Sequence, residues 1–473
     1  MCKTLGSALC AAVLAFSLVG ITHAVVPAAV PNAVTLNGAP FDATDLNLAR
    51  SGYVEKEFYI SGSANRYRIA NPLGTAEVID GGYPYVTRIL VRRPKHPEHF
   101  NGIVVVEWYN VTLGQDVDFQ FSAMYEHLLR EGYAWVGVSA QLVGINGLRT
   151  ANPERYGSLT AAASNVDPLG GGQIDSTGDV LSWDIYSQVG TALSTYASIV
   201  LGNLKPKMIL ALGESQSAFR LTQYYNSIQP LHHIYDGFLT YDRTGPLRID
   251  TGVKSISIGT EALGTLIGAP PSDFADARWY EVAGASHISL HDANYIDPII
   301  KEDGLLRDTN GQPLTLTEEL LTQGCVKTPL FSLVPSGHVL DAALEHLVKW
   351  IKTGEAPPTA QRFERTATGQ LLRDAEGRVH GGVRLSAYDA PTAANAGGDN
   401  PPTVFCALSG YHLDYSDEKL CDIYRSRRGY AERVGEVTER AHRAGFVVQA
   451  DAFETLRAAE RFHFPSCAVD SAR

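Results

Sequence analysis

The stretch M-I-L-A-L-G-E-S-Q-S-A-F, from Met208 to Phe219, is an apolar run that stops at Gly213, shows one serine between polar neighbours and resumes with a helical pattern. A buried strand that ends in G-x-S-x-G and turns at once into a helix forces its serine into a strained backbone and pushes the hydroxyl clear of the sheet. Small neighbours let strand and helix approach closely, and the first helical amides point a positive dipole end at the site. Here the pattern is Gly213-Glu214-Ser215-Gln216-Ser217, with serine in place of the second glycine. The flanks M-I-L-A-L and A-F-R-L-T-Q-Y-Y supply the strand and helix that the motif requires, so Ser215 is read as a nucleophile and the amide of Gln216 as an oxyanion donor.

Working outward, I-V-V-V-E-W (103–108) and A-W-V-G-V-S (134–139) are continuous β-rich runs that suit strands buried on both faces, with a helical stretch at 119–132 between them. An amphipathic helix is expected over 179–202, further strands at 234–240, 253–259 and 279–283, and a last strong helix at 339–352. Alternating strands and helices predict an α/β fold: a mostly parallel central sheet with helices on both faces. Residues 54–62, 65–70 and 86–94 read as three early strands placed on one edge. Residues 141–176 read as a long polar loop, with a flexible P-L-G-G-G-Q at 168–173, and 290–330 as a second insertion. The expected organisation is a leader at 1–24, a catalytic domain at 25–359 and a C-terminal extension at 360–473 packed on it.

The chain has 473 residues and a formal net charge of -12, which argues against nucleic acid or an anionic membrane surface as partner. Residues 1–24 have a basic start, an apolar run and a terminal T-H-A, the pattern of a cleaved secretory signal. No later segment is apolar enough to span a membrane, so a secreted or periplasmic protein is expected. Beyond the leader, Cys325, Cys406, Cys421 and Cys467 form an even set; Cys406–Cys421 and Cys325–Cys467 are the favoured pairings. No Cys/His cluster suggests a metal and no G-x-G-x-x-G suggests a dinucleotide, so no cofactor is expected.

A serine nucleophile needs a base, and the base an orienting acid. His287, in W-Y-E-V-A-G-A-S-H just past a strand, is placed to reach back over the sheet edge. His338, in V-P-S-G-H-V-L, is the alternative base. Glu261, at the end of the strand before the histidine strand, is the favoured acid, with Asp242, Asp273 and Asp276 as other carboxylates in range. Tyr109 and Asn110, after the first buried strand, are candidates for the second oxyanion donor. Trp108, Tyr109 and Phe219 either line a substrate pocket or simply pack. Asn110-Val111-Thr112 is also a glycosylation sequon, read as coincidental because a glycan there would block the site.

The segments V-V-V-E-W-Y-N-V, G-Y-A-W-V-G-V-S-A-Q, L-A-L-G-E-S-Q-S-A, G-T-E and W-Y-E-V-A-G-A-S-H, with H-V-L-D-A-A-L-E-H-L-V-K-W-I-K-T-G-E-A-P-P and the late G-Y-A-E-R-V and G-F-V-V-Q-A-D-A, resemble the secreted alpha/beta hydrolase domain family over nearly the whole mature chain. The resemblance implies an α/β-hydrolase fold and a serine carboxylic-ester hydrolase with Ser215, Glu261 and His287 as triad; it does not supply the substrate, for which a small-molecule ester is expected. Where the family often has Thr-Glu-Thr-Asp, this chain reads T-E-A-L, which removes a nearby aspartate as rival to Glu261. An acyltransferase using the same triad, or a non-catalytic binding protein of the same fold, are the alternative readings.

Overall fold

The computed structural model describes residues 25–467, so the leader expected at 1–24 lies outside the described residues. Nine strands form the main sheet: β1 Val30–Ala33, β2 Tyr53–Arg68, β3 Glu77–Pro94, β4 Ile103–Trp108, β5 Ala134–Val138, β6 Met208–Glu214, β7 Gly237–Tyr241, β8 Lys254–Thr260 and β9 Ala277–Val282. Their spatial order is β1-β2-β3-β5-β4-β6-β7-β8-β9. From β5 to β9 every neighbouring pair is parallel, while β1, β2 and β3 add antiparallel strands at one edge. The two segments at 54–62 and 65–70 are one continuous strand, β2, whose pairing with β3 absorbs the G-S-A-N stretch by a register shift near Arg66 rather than a turn.

Burial explains why the central strands read as unbroken apolar runs. Every position of β4, β5, β6 and β7 is buried, because helices cover both faces of the sheet. In chain order the helices that matter are α1 Phe119–Arg130, α2 Leu142–Ala151, α3 Ser182–Thr195, α4 Gln216–Gln223, α5 Leu290–Asp303, α6 Leu316–Thr322, α7 Gly337–Thr353, α8 Val404–Ser409, α9 Arg427–Arg443 and α10 Gln449–Arg461. Met124 and Leu128 of α1, Ile296 and Ile299 of α5, and Leu340 and Leu344 of α7 pack one face. Trp183 and Val189 of α3 with Leu221 of α4 pack the other. Helix α2 falls inside the 141–176 stretch read from sequence as loop. Its apolar residues Ile145 and Leu148 are buried against the second face, a tertiary contact that decides helix over loop.

Beyond residue 360, α9 and α10 pack together and Tyr424, Tyr430, Val434 and Val437 form a small core of their own. The same segment sends α8 back over the carboxyl ends of the central strands. Both expected disulfides are corrected: the bonds are Cys325–Cys406 and Cys421–Cys467, with Cα–Cα distances of 5.3 and 5.4 Å. Cys406 on α8 meets Cys325 in the segment that follows α6, whereas Cys421 meets Cys467 in the segment after α10. Short separation along the chain does not select the partner; the placement of α8 does.

Candidate active site

The geometry begins at the turn from β6 into α4. Ser215 has φ 54° and ψ -116°, a strained conformation for a residue with a Cβ. A Cβ on Gly213 would lie 2.8 Å from Leu221 Cδ1 and 3.1 Å from the Ser217 carbonyl oxygen, so any larger residue would force Leu221 and the Ser217 backbone to give way where helix approaches strand. Ser217 fills the second small position with a function: its hydroxyl donates to the Glu214 carbonyl and accepts from the Glu214 amide, both at 2.9 Å. The hydroxyl thus ties the strained turn from inside. Gln216 is the first helical residue, where an amide has no acceptor within its own helix.

His287 follows β9 in the loop Ala283–His287. Its ring Nδ1 meets Asp242 Oδ2 at 2.5 Å. Asp242 stands just past β7 with φ 49°, and its carboxylate also accepts from the Thr260 amide at 2.6 Å and the Thr260 hydroxyl at 2.7 Å. Tyr241 stacks on the imidazole at 6.5 Å between ring centroids, while its carbonyl accepts the Ser215 amide at 2.9 Å. One dipeptide, Tyr241-Asp242, therefore touches both the serine turn and the histidine.

The structure places Glu261, the acid expected from the sequence, away from His287. Glu261 opens the short helix after β8 and is fully buried. Its Oε2 accepts the Gly284 amide at 2.8 Å and its Oε1 pairs with Arg373 at 2.6 Å. Burial raises its carboxyl pKa, with Arg373 and the Gly284 amide opposing the rise. The group holds the backbone of the histidine loop and does not face the imidazole. Thr260, capping the same helix, turns toward Asp242 instead. Asp242 had a signal in the sequence, a carboxylate at the end of the strand beside the serine strand. Nothing in a linear pattern shows that the histidine loop reaches across β8 to β7.

Ser215 and His287 line a cavity of about 240 Å³ together with Asn110 and Glu214. Leu113, Phe119, Leu316 and Leu320 give it apolar walls, and Phe405 and Leu408 of α8 close one side. Asn110 is buried; its Nδ2 donates to the Glu214 carbonyl at 3.0 Å, leaving the second N–H of that amide group, and its Oδ1 accepts the Thr112 amide. The backbone amides of Tyr109 and Asn110 are committed to the carbonyls of Val138 and Val117. The Tyr109 ring lies in the core between Arg88 and Trp135, so of the two candidates at 109–110 only the Asn110 side chain faces the cavity. Buried in this way, Asn110 is closed to glycosylation in the folded chain. Trp108 packs on Trp183 and Tyr186, and the aromatic cavity residues are Phe119 and Phe405.

His338, the alternative base read from the sequence, does not line the Ser215 cavity. It begins α7 beside Asp341, Asp451 and Glu454 on a different cavity, where burial lowers the imidazole pKa. Glu214 is a site residue that the sequence reading passed over. It lines the cavity next to Ser215, no cation pairs with it among the described residues, and burial raises its pKa well above the ordinary carboxylate value, with Asp292, Asp242 and Glu107 adding to the rise. Its place inside the elbow motif was the available signal.

Residues 27–457 match a protein family described as an alpha/beta hydrolase domain. No curated protein matches the sequence. Among solved structures, the chain is similar to the rice cell wall degrading esterase LipA from Xanthomonas oryzae at 10% identity and a TM-score of 0.26, covering 46% of this chain and 50% of that one. It is similar to the esterase Est22 at 12% identity and a TM-score of 0.25, covering 45% of this chain and 66% of that one. An alpha-beta serine hydrolase homologue from Coxiella burnetii matches at 11% identity and a TM-score of 0.25, covering 43% of this chain and 85% of that one. This chain thus spans about half the length of LipA.

Proposed function

The chain belongs to the alpha/beta hydrolase domain family, and from that premise we propose that it is a serine hydrolase of carboxylic esters acting through Ser215, His287 and Asp242. The observation that carries this reading is a strained serine sharing an apolar cavity with a histidine whose far ring nitrogen is held by a buried aspartate at 2.5 Å.

In the proposed mechanism Ser215 Oγ attacks the ester carbonyl carbon and its proton passes to His287 Nε2. Asp242 fixes the imidazole so that Nδ1 carries the other proton, and it stabilises the imidazolium that forms. Thr260 donates to both Asp242 oxygens and keeps the acid oriented. The Gln216 amide and the second N–H of Asn110 Nδ2 receive the developing oxyanion. The imidazolium returns its proton to the departing alkoxide, leaving an acyl group on Ser215. Water, deprotonated by His287, then attacks that acyl group and releases the acid. Glu261 and Arg373 act one layer behind, holding the backbone on which His287 stands.

A cavity of about 240 Å³ with leucine and phenylalanine walls suits esters of short or medium acyl chains. Two disulfides favour an oxidising compartment outside the cytosol. The test is hydrolysis of p-nitrophenyl acetate, butyrate and palmitate alongside labelling by a fluorophosphonate. Turnover of the short esters and labelling, both abolished in Ser215→Ala, are the expected results. Labelling that survives Ser215→Ala would overturn the nucleophile. Absence of both turnover and labelling in the folded wild-type protein would favour a binding protein.

A further inference from the structure

A second cavity, of about 250 Å³, is walled by Arg243, Ile249, Asp273, Arg278 and Trp279, from the segment after β7 and from residues at and just before the start of β9. Arg243 directly follows Asp242 and is only 3% exposed. Its Nε donates to Ser257 Oγ at 2.6 Å, one terminal nitrogen donates to the Gly245 carbonyl, and the guanidinium lies 4.6 Å from the Trp279 ring centroid. Among the described residues no carboxylate lies within ion-pair distance of Arg243, and none lies within that distance of Arg278. Arg278 spends its nitrogens on the carbonyls of Phe274, Ala277 and Pro357. Asp273, the carboxylate on this wall, is taken by Arg362 at 2.5 Å and by the Trp279 amide at 2.9 Å. Once Asp273 and Arg362 cancel, two positive charges remain on a small concave surface of a protein whose net charge is -12.

A buried cation without a counter-charge is expensive, by several kcal/mol before any compensation. Carbonyls and an indole face offset part of that. Burial, with Tyr225 opposing and Arg362 adding to the effect, pushes the Arg243 pKa down to about 9. Elsewhere in this chain the deeply buried arginines are paired: Arg88 with Glu57 and Asp116, Arg92 with Glu55 and Asp118, Arg220 with Asp175. Arg243 departs from that practice at a cavity, where a mobile anion can supply the missing charge.

We propose that the cavity walled by Arg243, Arg278 and Trp279 binds a small oxyanion of the phosphate or sulfate type. With Nε on Ser257 and one terminal nitrogen on the Gly245 carbonyl, the other terminal nitrogen of Arg243 has no hydrogen-bond partner among the described residues and is left to donate to such an anion. Arg243 directly follows Asp242 in the chain, so the proposed anion site and the proposed triad acid are carried by adjacent residues. This site is independent of the ester chemistry and stands or falls by its own binding measurement.

The experiment is calorimetric titration of the full chain with sodium phosphate and with sodium sulfate, each against sodium chloride at equal ionic strength. Saturable binding of phosphate, competed by sulfate and not reproduced by chloride, is expected. Arg243→Met should weaken phosphate by at least about tenfold, the loss that follows from removing a charged hydrogen-bond donor. Because that residue is buried and its replacement threatens the fold, Ile249→Glu serves as the second probe. Ile249 is 73% exposed at the rim, and a new carboxylate there should weaken phosphate about two- to fivefold with no change in unfolding temperature. Identical heats with phosphate and chloride would overturn the proposal. So would unchanged phosphate affinity in folded Ile249→Glu and Arg243→Met.

Discussion

Replacing Asp242 by asparagine keeps the size of the group that faces His287 and removes the charge that fixes its tautomer. In the wild-type protein the carboxylate receives His287 Nδ1 at 2.5 Å and two donors from Thr260, so both of its oxygens are already oriented. An amide in that position either turns its NH2 toward Nδ1, which puts the imidazole in the wrong tautomer for taking the serine proton, or offers a neutral oxygen that cannot stabilise the imidazolium. In a serine triad this change is worth about 10⁴ in kcat, or ~5.4 kcal/mol of transition-state stabilisation. Asp242→Asn should therefore lose roughly 10³–10⁴ in kcat/KM for p-nitrophenyl butyrate, with unfolding temperature little changed. Glu261→Gln is the paired control. The glutamine oxygen still accepts the Gly284 amide, and what is lost is the attraction to the partly exposed Arg373, about 1–2 kcal/mol. Its kcat/KM should stay within a few-fold of wild type while its unfolding temperature falls by a few degrees. The reasoning is refuted if Asp242→Asn keeps activity within tenfold of wild type, or if Glu261→Gln collapses activity without losing stability.

Three further outcomes follow from the same geometry. Burial raises the Glu214 carboxyl pKa, so charge appears beside the proposed oxyanion site only as pH climbs through the raised value. The alkaline side of the kcat/KM profile should decline for that reason, and Glu214→Gln should flatten it. The same shift means the native state keeps a proton that the unfolded chain has lost, so the stability advantage of Glu214→Gln should grow with pH above the ordinary carboxylate value, as read by urea titration at several pH values. Replacing Cys325 and Cys406 together by alanine opens a loop of 81 residues, worth up to about 4 kcal/mol, and frees α8 from the wall that follows α6. KM should rise more than kcat falls, whereas the Cys421/Cys467 double variant should leave KM unchanged. Ser217→Gly keeps the elbow but deletes both hydroxyl bonds to Glu214, costing ~1–2 kcal/mol in chemical denaturation with activity preserved within a few-fold.

The sequence by itself determined the frame of this protein. Runs such as I-V-V-V-E-W and M-I-L-A-L could be satisfied only by strands covered on both faces, and the turn at Gly213–Ser217 by a strand that enters a helix through a strained serine. These are local constraints of periodicity, side-chain size and backbone freedom, and a linear reading captures them. The pairings between distant segments followed another rule. Asp242 rather than Glu261 meets His287 because the loop after β9 crosses over β8 to β7, and because Arg373, from beyond residue 360, turns Glu261 the other way. Cys406 joins Cys325 because α8 folds back over the cavity. The 145–148 segment is helical because its apolar side meets the sheet. In each case several residues of the right chemistry were available in the sequence. Which one was used depended on packing among elements far apart in the chain, and that information exists only once the sheet order and the path of the extension are set.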